Sequence, residues 1–346
     1  PRSSNPYVNR SKLFKVEITA EDDIAGTYTI GANGALTLAS GGSKTITVTT
    51  GSGFAIDNSS DDMSKNATYA VVAPGNHKFR IRYWLKNTTD HPDETTAGVM
   101  TPIEGTITRY VDINCVAGIM TDVTANLTLK DYDGRNYYQW DAQNNYWYDH
   151  EWNSANPWQP ITISQAANPN HPVHGDVLNR LYNTGGGVGR YDAITASFKN
   201  LPNVNEMVWY ARQGEPRWDS DELWTTMGHL YKAGMWFLKK SEIQNYSTEH
   251  ADDGITDWRL GGYSLTNTNI NQGAPVSGIE NYFYLPALGQ YLNGKLLSVG
   301  SVGYYWSSSS NPNDNGQAYY LCFSNNNIYI DFKGFRFSGL WVKHFE

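Results

Sequence analysis

The chain has 346 residues, a net charge of −8 at pH 7, 40% hydrophobic residues and only 17% charged ones. This length exceeds what a single core usually organises, so two folded units are expected. The acidic balance, with no Lys/Arg cluster, excludes a binder of nucleic-acid backbone, which would need a basic face to displace counterions.

No apolar run approaches the ~20 residues that carry a helix across a bilayer, so no transmembrane segment is expected, and no stretch near Pro1 has the pattern of a signal peptide. The missing charge is replaced by Ser, Thr, Asn and Gly together with Tyr and Trp, a balance that suits an all-β or α+β protein. In the first third, Phe14, Val16 and Ile18 alternate with Lys15, Glu17 and Thr19, the period of a half-buried strand. Asn33-Gly34 divides TYTIG from ALTLA and supplies the positive φ angles of a hairpin turn. Gly41-Gly42 reads as a second turn before KTITVTT. TYAVV follows, then KFRIRYWLK, which sets Phe79, Ile81, Tyr83 and Leu85 against Arg80, Arg82, Trp84 and Lys86. GTITRYVDINCVAG and TDVTANLTL continue the series. Short strands with turns at this spacing predict an all-β sandwich over residues 1–129.

Composition changes at Lys130. Tyr137, Tyr138, Trp140, Tyr146, Trp147, Tyr148, Trp152 and Trp158 crowd a stretch with no clean period. Rings this large are costly to leave in water, so the segment should wrap onto a second domain with at least one ring left as an exposed platform. NVNEMVWYARQ sets Asn203 three residues before Glu206, a capping-box pattern. DSDELWTTMGHLYKAG begins with acids, carries Leu223, Met227, Leu230 and Tyr231 at helical spacing and reads as a second helix ending at Gly234. From Tyr282 the strand pattern returns in YFYL, GYYWSSS, QAYYLCFS, NIYIDF and RFSGLWVKHF. Two helices between early and late strands predict an α+β domain over residues 130–346.

Asn311, Asn313, Asn315 and Gly316 fall on the first, third, fifth and sixth positions of a calcium loop, but Cys322 stands where the bidentate Glu belongs. The stretch therefore reads as a polar hairpin loop, with no metal expected. Asp131 and Asp133 read as a turn, and His171 and His174 lack a third ligand. Asp219, Asp221 and Glu222 offer the carboxylates of a glycosidase, but the dipole of a helix N-terminus explains them better. TGGGVG lacks both phosphate-binding fingerprints, and no nucleophile elbow is present. Cys115 and Cys322 lie far apart in strand-like runs and read as free buried thiols. Asn-x-Ser/Thr triplets at Asn58, Asn66, Asn87, Asn126 and Asn245 are as frequent as chance gives in so Asn- and Thr-rich a chain. Neither catalysis nor a cofactor is expected. The candidate ligand-binding residues are Asn311, Asn313, Asp314 and Asn315, whose neutral-polar set suits a glycan or a partner's backbone. Trp147 and Trp152 join them, because such rings stack on sugar faces and anchor interfaces.

Trp306-Ser307-Ser308, Ala318-Tyr319-Tyr320-Leu321 and Ser338-Gly339-Leu340-Trp341-Val342-Lys343 resemble the end of the Fibrobacter succinogenes major paralogous domain. YYQWDAQNNYWYDHEW and NEMVWYARQGEPRWDSDELWTTMGHLYKAGMWFLKK resemble the version found in Bacteroides surface proteins. The resemblance spans nearly all of residues 130–346 and implies a C-type-lectin-like α+β fold. Leu201-Pro202 replaces the Cys-Pro pair of that pattern, and Lys343 replaces its terminal Arg. VVAPGNHKFRIRYWL and YVDINCVAGIMTDVTANLTL resemble the fimbrillin-type, transthyretin-like β-sandwich of Bacteroidetes.

Together these resemblances imply a non-catalytic adhesin or fimbrial tip subunit on the bacterial surface, at the outer membrane or in a fimbria. Its partners would be a glycan or a surface protein, and other fimbrial subunits joined by β-strand addition. A surface protein that captures carbohydrate for uptake is the alternative, and a glycan-active enzyme the least supported. Relatives of the formylglycine-generating enzyme share the implied fold, but their chemistry requires a cysteine pair, whereas Cys115 and Cys322 fall in different expected domains.

Overall fold

A computed structural model describes residues 1–56 and 63–345; the Asn58 triplet lies outside them. The first half contains β1 (Lys12–Thr19), β2 (Ala25–Ile30), β3 (Leu36–Ser43), β4 (Thr45–Ala55), β5 (Gly75–Asn87) and β6 (Ile103–Cys115). Four of these form an antiparallel sheet in the order β4-β1-β5-β6. Alternation in β5 works as the sequence suggests: Phe79, Ile81, Tyr83 and Leu85 are buried on one face with Val16 and Ile107. On the other face Arg80 and Tyr110 donate to the carbonyls of Ala274 and Pro275, so the second half of the chain covers it.

Asn33-Gly34 sits at the tip of the β2–β3 hairpin, with Gly34 at φ +80°. Gly41-Gly42 does not turn the chain. It lies inside β3 where the register with β2 slips, so the left-handed Gly41 serves a bulge. TYAVV and TDVTANLTL are not strands. Both run alongside the first-half strands, tied by Ala73 N–H to the Ile24 carbonyl and by Leu127 N–H to the Arg2 carbonyl. A second full sheet, expected for a sandwich, is therefore not assembled among the described residues.

The second half contains β7 (Lys130–Asp131), β8 (Tyr137–Tyr138), β9 (Arg217–Thr226), β10 (His229–Leu238), β11 (Leu265–Asn267), β12 (Asn271–Gln272) and β13 (Tyr282–Pro286). There follow β14 (Gln290–Leu292), β15 (Lys295–Leu297), β16 (Gly303–Ser310), β17 (Gln317–Phe323), β18 (Ile328–Phe335) and β19 (Leu340–Trp341). β11-β18-β17-β16-β19-β8 form one sheet, against which the aromatic segment after Lys130 packs through β8. Tyr137, Trp140, Tyr146 and Trp147 are all buried, as the cost of exposed rings requires. The helix Val204–Gln213 carries the full capping box: Asn203 accepts the Glu206 N–H, and Glu206 accepts the Asn203 N–H.

The second expected helix is instead the β9–β10 hairpin, turned at Met227 and Gly228 with φ of +47° and +78°. Its two faces serve different cores. Leu223 and Leu230 pack with the apolar face of the first-half sheet, whereas Trp224, Tyr231 and Met235 join the large aromatic core of the second half. Burial on both sides removes the polar/apolar alternation of a strand and leaves apolar spacings that imitate a helix. The hairpin also joins the halves: β9 runs parallel to β6 at Thr106 and Glu222, so β13-β10-β9-β6-β5-β1-β4 is one continuous sheet. No helix of the described residues is long and apolar enough to cross a membrane.

Candidate functional site

Two surfaces stand out, one in each half. In the second half, β16 and β17 are the arms of a hairpin whose rings Tyr305, Trp306 and Tyr319 are buried, and whose tip is the loop 311–316. Asn311 is also buried. Its Oδ1 accepts the Asn313 N–H (2.9 Å) and its Nδ2 donates to Gln317 Oε1 (3.0 Å). Asn311 thus shapes the loop and offers a ligand nothing. Asn313, Asp314 and Asn315 are exposed, with Asp314 Oδ1 accepting the Gly316 N–H at 2.8 Å.

The loop is held from below by Arg336, which is completely enclosed. Its Nε donates to the Gln317 carbonyl (2.9 Å), its Nη1 donates to the carbonyls of Asn183 and Gly185 (2.7 Å each), and its guanidinium lies 4.2 Å from the centroid of Trp140. Burial pushes this guanidinium down to about 10, still charged at neutral pH. Arg336 therefore clamps the polar loop to the glycine-rich loop, where Gly189 N–H donates to the Pro312 carbonyl. On either side of it Phe335 and Phe337 point outward and stack on each other, centroids 5.2 Å apart and planes 14° apart, 52% and 37% exposed. Phe335 pairs with Gln317 across the ladder, which places the ring pair beside the polar loop.

The six candidate residues thus separate. Asn313, Asp314 and Asn315 share one surface. Trp152 lies elsewhere, half-buried in the wall of a cleft. Asn311 and Trp147 are enclosed: the Trp147 N–H is capped by Asn145 Oδ1, which turns the ring into the core against Tyr146 and Tyr291. Phe335 and Phe337 were not anticipated, because FRF reads as an ordinary strand end. An arginine between two rings was the available signal. Among the described residues no three His, Cys, Asp or Glu side chains gather as a metal site would require.

In the first half, the buried face of the sheet is incompletely covered. Val16 and Ile18 of β1, Phe79 and Ile81 of β5 and Cys115 of β6 help line an apolar groove of about 400 Å³. Its banks are the segments 68–72 and 116–124, which lie outside the strands, the second starting in a turn where the Ile119 N–H donates to the Val116 carbonyl. Tyr69, Val71, Ile119 and Met120 on these banks are 63%, 92%, 66% and 69% exposed. Among the described residues, no backbone N–H of 68–72 or 120–124 reaches a backbone acceptor. An apolar floor between banks whose 68–72 and 120–124 N–H groups are unpaired is what a sheet lacking a strand looks like.

No family model, curated protein or solved structure matches this chain. The functional reading therefore rests on these two surfaces.

Proposed function

We propose that the chain is a bacterial surface adhesin or fimbrial subunit. Its first half receives a β-strand from a partner subunit, and its second half presents a recognition surface to a glycan or a surface protein. The groove carries this reading. A donated strand would set alternate apolar side chains on Val16, Ile18, Phe79 and Ile81 and pair its backbone with the free N–H and C=O groups of 68–72. On this reading the first half is a fimbrillin-type sandwich completed in trans. The second half is then the C-type-lectin-like domain of the Fibrobacter succinogenes major paralogous kind, with Asn313, Asp314, Asn315, Phe335 and Phe337 as its contact surface. Two amides and the Asp314 carboxylate beside a rigid aromatic pair suit a neutral polar ligand better than an anionic one.

Cys115 on the groove wall supplies an intrinsic reporter. A synthetic peptide alternating Val and Thr over about ten residues, titrated into the full chain, is expected to slow Cys115 alkylation saturably. Its scrambled counterpart, with the apolar residues grouped at one end, is expected to have little effect. Equal alkylation rates at every concentration of both peptides would refute strand acceptance.

A further inference from the structure

We infer that the cleft between Trp152 and Trp158 is a binding site for an uncharged sugar residue. The cleft measures about 400 Å³, within the range of small-molecule sites. Beside the two indoles it is lined by Pro157, Pro169, Gln165 and Asn168 among others, and no charged side chain faces it. The nearest cation, the Arg180 guanidinium 5.9 Å from the Trp158 ring, is already paired with Asp176 at 2.7 Å, so a phosphate, a uronate or a sialic acid would find no free counter-charge there. A hexose or N-acetylhexosamine needs none, and its C–H face matches an indole.

Hydrogen-bonding capacity points the same way. Trp152 Nε1 is buried and has no partner within the protein. Gln165 spends its side-chain oxygen on the N–H groups of Ile161 (2.6 Å) and Thr162 (2.9 Å), which leaves its amide N–H free to donate. The indole N–H is closed off from the cleft, so the Gln165 amide is the donor left for a ligand, and sugar hydroxyls supply acceptors.

The walls are set in advance. Trp158 and Gln159 N–H groups both donate to the His150 carbonyl, and the His150 ring stacks on Trp158 with planes 11° apart. Gln159 accepts the Trp152 N–H and donates to Gly134 and Tyr291, which pins the backbone of Trp152 to the core. Asn168 N–H donates to the Gly294 carbonyl. Gly294 stands at φ +74°, and a Cβ there would collide with the Asn168 carbonyl. A ligand would therefore meet a formed site with little ordering cost.

This inference rests on the reading of the second half as a glycan-recognising unit, but not on the polar loop or the groove. The test is a glycan array carrying neutral hexose and N-acetylhexosamine oligosaccharides beside uronate- and sialate-containing ones, probed with the full chain. Intrinsic tryptophan fluorescence against the best neutral binder follows. Saturable binding confined to neutral sugars is expected, with at least a tenfold loss in Trp152→Leu. A similar loss is expected in Gln165→Glu, which retains the oxygens that Ile161 and Thr162 need and so retains the fold. Ile255→Ser, at an exposed position outside the cleft lining, should leave this binding unchanged. Binding that survives both cleft variants and disappears in the pair Asn313→Ala with Asp314→Ala would overturn the cleft while leaving the adhesin reading in place. Binding to acidic glycans alone, or to no sugar at all, would also overturn it, and strand acceptance would still be decided separately at Cys115.

Discussion

Arg82 and Asp219, 137 residues apart in sequence, form a buried ion pair of 2.6 Å at the junction of the two halves. The same Arg82 Nη2 donates to Thr106 Oγ1 (2.7 Å). Glu222 accepts the hydroxyls of Thr106 (3.1 Å) and Thr108 (2.6 Å) and the Thr108 N–H (3.2 Å). One guanidinium thus pairs with the enclosed Asp219 and reaches the half-buried Glu222 through Thr106, where β6 meets β9.

Breaking a buried pair leaves an uncompensated charge and costs about 3–5 kcal/mol, whereas replacing both partners with apolar groups is often nearly neutral. Arg82→Met is therefore expected to lose stability of that order. Arg82→Met with Asp219→Leu should recover most of it. Urea unfolding of the three proteins checks this, and equal losses in the single and double variants would show that the pair is not the seam's electrostatic centre.

Glu222 makes the seam pH-dependent. Burial, reinforced by the neighbouring Asp219 charge, pushes its carboxyl up to about 7 against the hydrogen bonds from Thr108 and the attraction of Arg82. The folded state therefore holds a proton that an unfolded Glu, near 4.5, has released. The resulting stabilisation is fully present below about pH 4.5 and is lost as pH rises through about 7. Glu222→Gln should remove this slope and raise the melting temperature relative to the parent above pH 7. Melting curves for parent and variant that stay parallel from pH 4.5 to 8 would rule the assignment out.

The two thiols should react very differently. Cys322 is buried in the middle of a sheet and its thiol is pushed up to about 12, chiefly by desolvation. Cys115 is half-exposed at the groove. Iodoacetamide under native conditions is expected to modify Cys115 and spare Cys322, with both labelled in urea. Peptide mapping distinguishes the outcomes, and equal native labelling of Cys322 would contradict its placement.

Arg336→Lys tests the clamp beneath the polar loop. A lysine keeps the charge but cannot span three carbonyls with a rigid fork. The expected cost is about 3 kcal/mol, with proteolytic cleavage appearing first in 183–189 and 312–316. Cleavage distributed as in the parent would show that the loops are held by other means.

Legibility in the sequence followed how local the deciding interactions are. The β5 alternation and the Asn203–Glu206 capping box were readable, because each depends on neighbours a few residues away. So was the exposure of Asn313 to Asn315, which composition alone suggests. The β9–β10 hairpin was not, because two cores bury its opposite faces and erase the period that would have announced it. Asp219 and Glu222 looked like helix-dipole acids for the same reason; their partners Arg82, Thr106 and Thr108 lie more than 100 residues away. Trp147 and Trp152 read alike, and only tertiary packing sent one inward and left the other at a cleft.

The shared hairpin bears on how such a chain can be inherited. Leu223 and Leu230 belong in sequence to the second half and in space to the core of the first. A gene rearrangement that exchanged either half would strand those leucines in water and leave Asp219 and Glu222 without Arg82. The halves are not interchangeable cassettes. Any recombinant that succeeded would have to carry a compatible β6 edge along with its new β9, so the two surfaces are bound to a common lineage.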